Sequence, residues 1–118
     1  MRVHHVALIV ADADVEACAR FYRDVLGLRS LDAPRDGVAW LDLDGAILMI
    51  EPAGGGVARA ADRGTFVLAL AIDAGERASW ETRLRSRGIA IEQQTAYSMY
   101  VRDPSGNRVA LSHYPVAS

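Results

Sequence analysis

His5 and Glu51 are the two residues of this 118-residue chain that would have to share any metal-free acid–base work. His5 lies in an apolar run near the start of the sequence, and Glu51 closes a later one, Ala46 to Ile50. An imidazole titrates near neutrality, and a carboxylate is a common partner in proton transfer. Nothing in their spacing brings the two together. Tyr100 and Arg102 share one face of a strand-like stretch and can both reach a ligand there; the plainer reading is an exposed strand edge. Trp40 offers a wall for a planar ligand, although its alignment with Val101 favours core packing. Met49 suits an adaptable apolar pocket and equally suits ordinary packing. Glu51 either pairs with Arg102 or Arg108 or is solvated where its strand ends.

Other reactive chemistry is missing. Cys18 sits alone in a helical pattern, where it is a small core residue rather than a nucleophile. There is no nucleophile elbow, no glycine loop leading into Lys-Ser or Lys-Thr, and no cysteine pair. Gly54-Gly55-Gly56 does not join a strand to a helix in the way an anion loop requires.

The elements that must position these residues can be read in order. Val3–Val10 is a strand; Asp12 and Asp14 start a helix over Val15–Leu26, and Gly27 caps it. Leu28–Leu31 is a short strand or a helix exit. Strands follow at Val38–Leu43 and Ala46–Ile50, about a turn at Asp44-Gly45. After a glycine-rich stretch come a strand at Thr65–Ile72, Asp73 as a cap, a helix to Arg87 closed by Gly88, and strands at Ile89–Gln93, Tyr97–Arg102 and Arg108–His113. The last two flank Asp103-Pro104-Ser105-Gly106-Asn107, a turn in which Pro104 presets φ and Gly106 tolerates a positive one. Each half therefore reads β-α-β-β-β.

The halves repeat. Gly27 and Gly88 (88 − 27), Asp42 and Asp103 (103 − 42), Gly45 and Gly106 (106 − 45), and Asp12 and Asp73 (73 − 12) all share an offset of 61. Four landmarks at one offset indicate a duplicated supersecondary unit. The chain divides into a module over 1–52, a linker over 53–64 and a second module over 65–118, within a single α+β domain.

Strand parity sorts the side chains. One face collects Val6, Leu8, Val10, Leu48, Ile50, Leu68, Leu70, Ile72, Val109 and Leu111, uniformly apolar as a helix-covered core requires. The other is mixed and carries His5, Met49, Glu51, Val67, Arg108 and Ala110, a composition suited to an apolar cavity with a few polar anchors. His4 and His113 fall on the faces opposite His5 and Ala110.

Composition narrows the partners. The sequence is 51% hydrophobic and 24% charged, with a net charge of −2, as in ordinary globular domains. A net negative chain has no basic field for nucleic acid. No apolar run approaches the roughly 20 residues of a membrane span, and no signal-type segment opens the chain, so a cytoplasmic location is expected.

Two tandem βαβββ modules resemble the vicinal oxygen chelate superfamily, which includes glyoxalase I, extradiol dioxygenases, and fosfomycin- and bleomycin-resistance proteins. The residues carrying the resemblance are His5-Val6-Ala7-Leu8, Phe21-Tyr22 with Leu26-Gly27, and Asp103-Pro104-Ser105-Gly106-Asn107. It implies an open cup of curled strands, with ligand or metal inside, and a homodimer. It also implies four inward metal-ligand positions, which fall here at His5, Met49, Val67 (or its neighbour Phe66) and Ala110. Only His5 can ligate, whereas a catalytic divalent metal normally needs about three protein ligands. The expectation is a metal-free binder of an apolar or aromatic small molecule, an antibiotic included, without catalysis and of the bleomycin-resistance type. Its ligand would meet His5, Trp40, Met49, Glu51, Val67, Tyr100, Arg102 and Ala110. The alternatives are a glyoxalase-like lyase, isomerase or dioxygenase with an altered divalent-metal site, and an interaction module.

Overall fold

A computed structural model describes residues 1–54 and 66–115. The chain forms two compact units, Met1–Ala60 and Ala61–Ser118. Thr65 and most of the expected linker lie outside the described residues.

In the first unit, strand β1 (His5–Val10) leads through a 3-10 turn at Asp12–Asp14 into helix α1 (Val15–Arg20). The helix widens into a π-turn over Phe21–Val25, so the predicted single helix to Leu26 is two kinds of helix in series. Strands β2 (Ser30–Leu31), β3 (Ala39–Asp42) and β4 (Ile47–Pro52) complete the sheet, in the order β1-β4-β3-β2 with β1 and β4 parallel. Leu8, Val10, Leu41, Leu48 and Ile50 are buried on one face. Helix α1 packs on β3 and β4 and adds Cys18 and Ala19 to the core, and the π-turn adds Phe21 and Tyr22. Cys18 is fully buried, in keeping with a core role.

The second unit repeats the plan. Strand β5 (Val67–Ala71), a 3-10 turn at Ala74–Glu76, helix α2 (Arg77–Ser86), and strands β6 (Gln93–Gln94), β7 (Ser98–Arg102) and β8 (Arg108–Ser112) give a sheet ordered β5-β8-β7-β6, again with its first and last strands parallel. This is the expected α+β arrangement of two βαβββ modules. Leu68, Met99, Val101, Val109 and Leu111 are buried, with Leu84 from α2. Ala78 is exposed and Trp80 half-buried, so α2 commits a narrower apolar stripe than its sequence suggests. Asp73 leads into the turn by its backbone, with Glu76 N–H donating to its carbonyl at 2.9 Å; its carboxylate makes no cap hydrogen bond.

The constant offset breaks in two places, each with a local cause. Helices α1 and α2 begin at Val15 and Arg77, an offset of 62 (77 − 15). At their ends, Gly27 and Gly88 both have positive φ, 79° and 73°, and are true counterparts at 61. Leu28 and Ile89 then donate their N–H groups back into the helices, to Tyr22 and Leu84 carbonyls at 2.9 Å. The π-turn holds the extra residue that closes the gap between these offsets. Asp12 and Asp73 are accordingly one position out of register: the backbone counterpart of Asp73 at the start of its 3-10 turn is Ala11.

The second break is in the hairpins. Leu43 and Ala46 close a two-residue loop in which Asp44 and Gly45 both have positive φ, the twist-matched turn favoured between antiparallel strands. Asp103 and Asn107 close a loop one residue longer, Pro104-Ser105-Gly106. Asp42 therefore corresponds to Arg102, not Asp103: Asp42 pairs with Ile47, and Arg102 with Arg108. Trp40, which pairs with Met49, likewise corresponds to Tyr100, which pairs with Ala110, and not to the core residue Val101.

Candidate functional site

The open face of the first sheet carries His5, Ala7 and Ile9 on β1, Ile47, Met49 and Glu51 on β4, and Trp40 and Asp42 on β3. His5, Ala7 and Ile9 are exposed, while Met49, Glu51 and Trp40 are half-buried. Trp40 thus lies on the mixed face, cross-strand from Met49, and not in the helix-covered core its alignment with Val101 suggested. Its indole Nε1 is buried with no hydrogen-bond partner among the described residues. A buried N–H without an acceptor costs free energy, so the position asks for one.

His5 is not alone. Its Nδ1 lies 2.9 Å from Nδ1 of His4, with the rings edge-to-face. His4 precedes the first strand residue, and its ring stays beside that of His5. One imidazole donates and the other accepts, which occupies one ring nitrogen of His5 and leaves Nε2 as its outward one.

In the second sheet the open face carries Val67, Ala69 and Ala71, then Arg108, Ala110 and Ser112, then Arg102, Tyr100 and Ser98. Val67 pairs with Arg108 as His5 pairs with Ile47, so Val67 rather than Phe66 is the counterpart of His5. Ser98 and Ser112 hydroxyls join at 2.8 Å. Arg102 and Arg108 stand directly cross-strand, an arrangement of like charges that requires an acid nearby. That acid is Glu92, just before β6. Arg102 Nε donates to Glu92 Oε1 and Oε2 at 3.1 Å, and Arg108 Nε donates to Oε1 at 3.1 Å. These contacts give the two arginines the acid that the sequence offered as one of two readings of Glu51. Hydrogen bonding from Arg102, reinforced by Arg108 and opposed by partial desolvation, holds the Glu92 carboxyl below the usual glutamate range. Arg108 Nη2 also donates to Gln93 Oε1, and its guanidinium carbon lies 4.1 Å from the centre of the Tyr100 ring. Arg102 Nη1 donates to the Gly106 carbonyl at 2.9 Å, tying it to the hairpin turn.

That turn is rigidly specified. Asp103 is buried, and its Oδ1 accepts from Ser105 and Asn107 N–H at 2.9 Å while Oδ2 accepts from Asn107 Nδ2 at 3.0 Å. His113 faces neither sheet site. Its Nε2 meets Arg77 Nη1 at 3.1 Å, and Arg77 also donates to the carbonyls of Thr95, Ala96 and Ser98, pinning the loop before β7 to the start of α2.

The sequence reading names His5, Trp40, Met49, Glu51, Val67, Tyr100, Arg102 and Ala110 as ligand contacts, and each lies on the open face of its own sheet. It missed Glu92, Gln93 and the central place of Arg108. The signal was available: Arg102 and Arg108 are the first residues outside the pair that closes the turn, so they had to oppose each other.

Among the described residues, the four strand positions do not make the donor set of a catalytic divalent metal. The four strand positions supply one imidazole, a thioether and two aliphatic side chains. No group of three or more His, Cys, Asp or Glu side chains among the described residues is disposed to hold an ion. No helix among the described residues is long and apolar enough to cross a membrane.

Solved structures share this architecture. A possible glyoxalase from Bacillus cereus is 28% identical, with 95% of this chain and 98% of that one covered at a TM-score of 0.76. A glyoxalase/dioxygenase from Nostoc punctiforme is 27% identical, with coverage of 93% and 88% and a TM-score of 0.78. Lactoylglutathione lyase from Agrobacterium tumefaciens is 26% identical, with coverage of 94% and 92% and a TM-score of 0.74. No curated protein matches the chain. The family model for the Glyoxalase/Bleomycin resistance protein/Dioxygenase superfamily matches residues 2–111, and the chain belongs to that superfamily.

Proposed function

We propose that this protein is a metal-free binder of a small apolar or aromatic molecule, of the bleomycin-resistance type, and that an antibiotic is among its natural ligands. The observation carrying this reading is the donor set: of the four strand positions His5, Met49, Val67 and Ala110, one can ligate. In place of ligands stand apolar side chains, and one of them, Met49, lies cross-strand from Trp40, whose buried indole N–H has no acceptor among the described residues. An apolar surface with a few oriented polar groups is what holds a small molecule. Homodimerisation is part of the proposal, because each four-stranded sheet ends in edge strands that need cover. So is a cytoplasmic location.

A glyoxalase-like, metal-dependent lyase is the competing reading, favoured by His5 and by the 26% identity to a lactoylglutathione lyase. Metal content of protein purified without chelator, with cobalt and nickel added back, separates the two. Less than about a tenth of an equivalent, and no uptake on add-back, is the expected result. Close to one metal per chain, lost in His5→Ala, would sink the binder and make the protein an enzyme.

A further inference from the structure

We propose that Arg108, floored by Tyr100 and flanked by Arg102, is the seat for a carboxylate or phosphonate group on the ligand. The inference deepens the small-molecule reading above and rests on it.

Arg108 opens the interior strand β8, with the aliphatic Val67 and Ala69 on one side of it, Arg102 and Tyr100 on the other, and Ala110 further along its own strand. Its side chain is 19% exposed and that of Arg102 is 22% exposed, so both cations are substantially withdrawn from water. A guanidinium in that position needs well-placed acceptors, and its planar fork is made for two oxygens at once. Arg108 has them on one edge only, through Nε and Nη2. Its bond to Glu92 reaches a single oxygen, Oε1, which Arg102 Nε also contacts. Its second bond goes to the neutral amide oxygen of Gln93. Nη1 has no hydrogen-bond partner among the described residues.

The surroundings specify the group that would complete it. Glu92 is 35% exposed and bound to the arginines from outside the sheet, so it reads as an internal stand-in that a ligand anion would share the cations with. The Tyr100 ring, 4.1 Å from the guanidinium carbon, closes one side of Arg108 and offers a flat apolar surface next to the charge. An anionic group attached to a ring matches both features. All of these residues belong to one compact unit, so the seat is complete within it.

The test uses phenylphosphonate as the probe and benzyl alcohol as its neutral counterpart, with binding followed by calorimetry and by the Nε–H resonances of the arginines. Phenylphosphonate is expected to bind at least about tenfold more tightly than benzyl alcohol and to shift the Arg108 resonance. Arg108→Gln should weaken it at least about tenfold, and Arg108→Lys, which keeps the charge but loses the fork, should weaken it by an intermediate factor. Glu92→Gln should strengthen it, because the competing carboxylate is gone. Equal affinity for the two probes, or an Arg108→Gln variant that still melts cooperatively and binds phenylphosphonate as the parent does, would overturn the proposal. Metal content on the same samples keeps the two claims apart. Arg108-dependent binding by a protein holding a full equivalent of metal refutes the metal-free reading and leaves the seat standing. Arg108-independent binding by metal-free protein does the reverse.

Discussion

Trp40 and Tyr100 hold the same place in their two sheets: each lies on the first strand of its hairpin, cross-strand from Met49 or Ala110. The chemistry at that shared place has diverged. Tyr100 carries the guanidinium of Arg108 on its face, whereas Trp40 presents a buried N–H that meets no acceptor among the described residues.

Replacing Trp40 separates shape from hydrogen bonding. Trp40→Phe keeps an aromatic ring and removes the orphaned donor, so stability should be unchanged or higher by up to about 1 kcal/mol in urea unfolding. Affinity for a ligand that accepts from the indole should fall in the same variant. A loss of more than about 2 kcal/mol would mean that Nε1 is satisfied in solution and that the ring is structural.

The two hairpin turns should differ sharply in what they lose on truncation. Asp103 is buried and accepts three hydrogen bonds, so Asp103→Ala should destabilise by about 3 kcal/mol, with Asp103→Asn in between. Asp42 accepts from Asp44 N–H and from Arg29 at an exposed site, so Asp42→Ala should cost less than about 1 kcal/mol. Equal losses would show that the second turn is held by something other than its aspartate.

Acid should act through Glu92. Its carboxyl is held below the ordinary value near 4.5, chiefly by hydrogen bonding to Arg102. A depressed carboxyl stabilises the fold fully above its unfolded value, and that contribution disappears as pH falls through the lower folded value. Stability measured from about pH 6 down to about pH 3 should therefore decline less steeply in Glu92→Gln than in the parent. The variant should already be less stable at neutral pH, because Arg102 and Arg108 then face each other without a shared acid. Parallel pH profiles would remove Glu92 from the explanation.

Arg77 should resist conservative replacement. Its guanidinium reaches three backbone carbonyls and the Gln94 amide oxygen from one planar fork, which an ammonium cannot span. Arg77→Lys is expected to raise amide hydrogen exchange at residues 95–98 by at least about tenfold while leaving β8 protected. Unchanged exchange there would mean that the loop holds itself.

Much of the fold was legible because local signals agreed. Leu8, Val10, Leu48 and Ile50 alternate with His5, Ala7 and Met49, and Gly27 and Gly88 end their helices with the positive φ that few other residues accept. The π-turn was not legible, since Phe21 and Tyr22 satisfy α and π spacing about equally. Nor was the narrow stripe of α2, where Trp80 looks like core and is half-buried. In the site, parity placed Met49, Tyr100 and Arg102 correctly, because a strand allows only two directions. Parity could not find Glu92, because its contact with the arginines depends on the path of the chain just before β6, which alternation within strands does not set.

The extra residue between Asp103 and Asn107 shows where this chain tolerates a change of length. A turn absorbs an insertion by altering its own path, and both flanking strands keep their inside and outside. The same residue added two positions earlier would have sent Tyr100 toward the helix and Val101 toward water. Whatever history separated the two halves, length changes were survivable at turns and at a helix bulge. Of those points the exposed turn at Asp44-Gly45 is the one at which a tag, a probe or a longer loop could now be spliced in without opening the core.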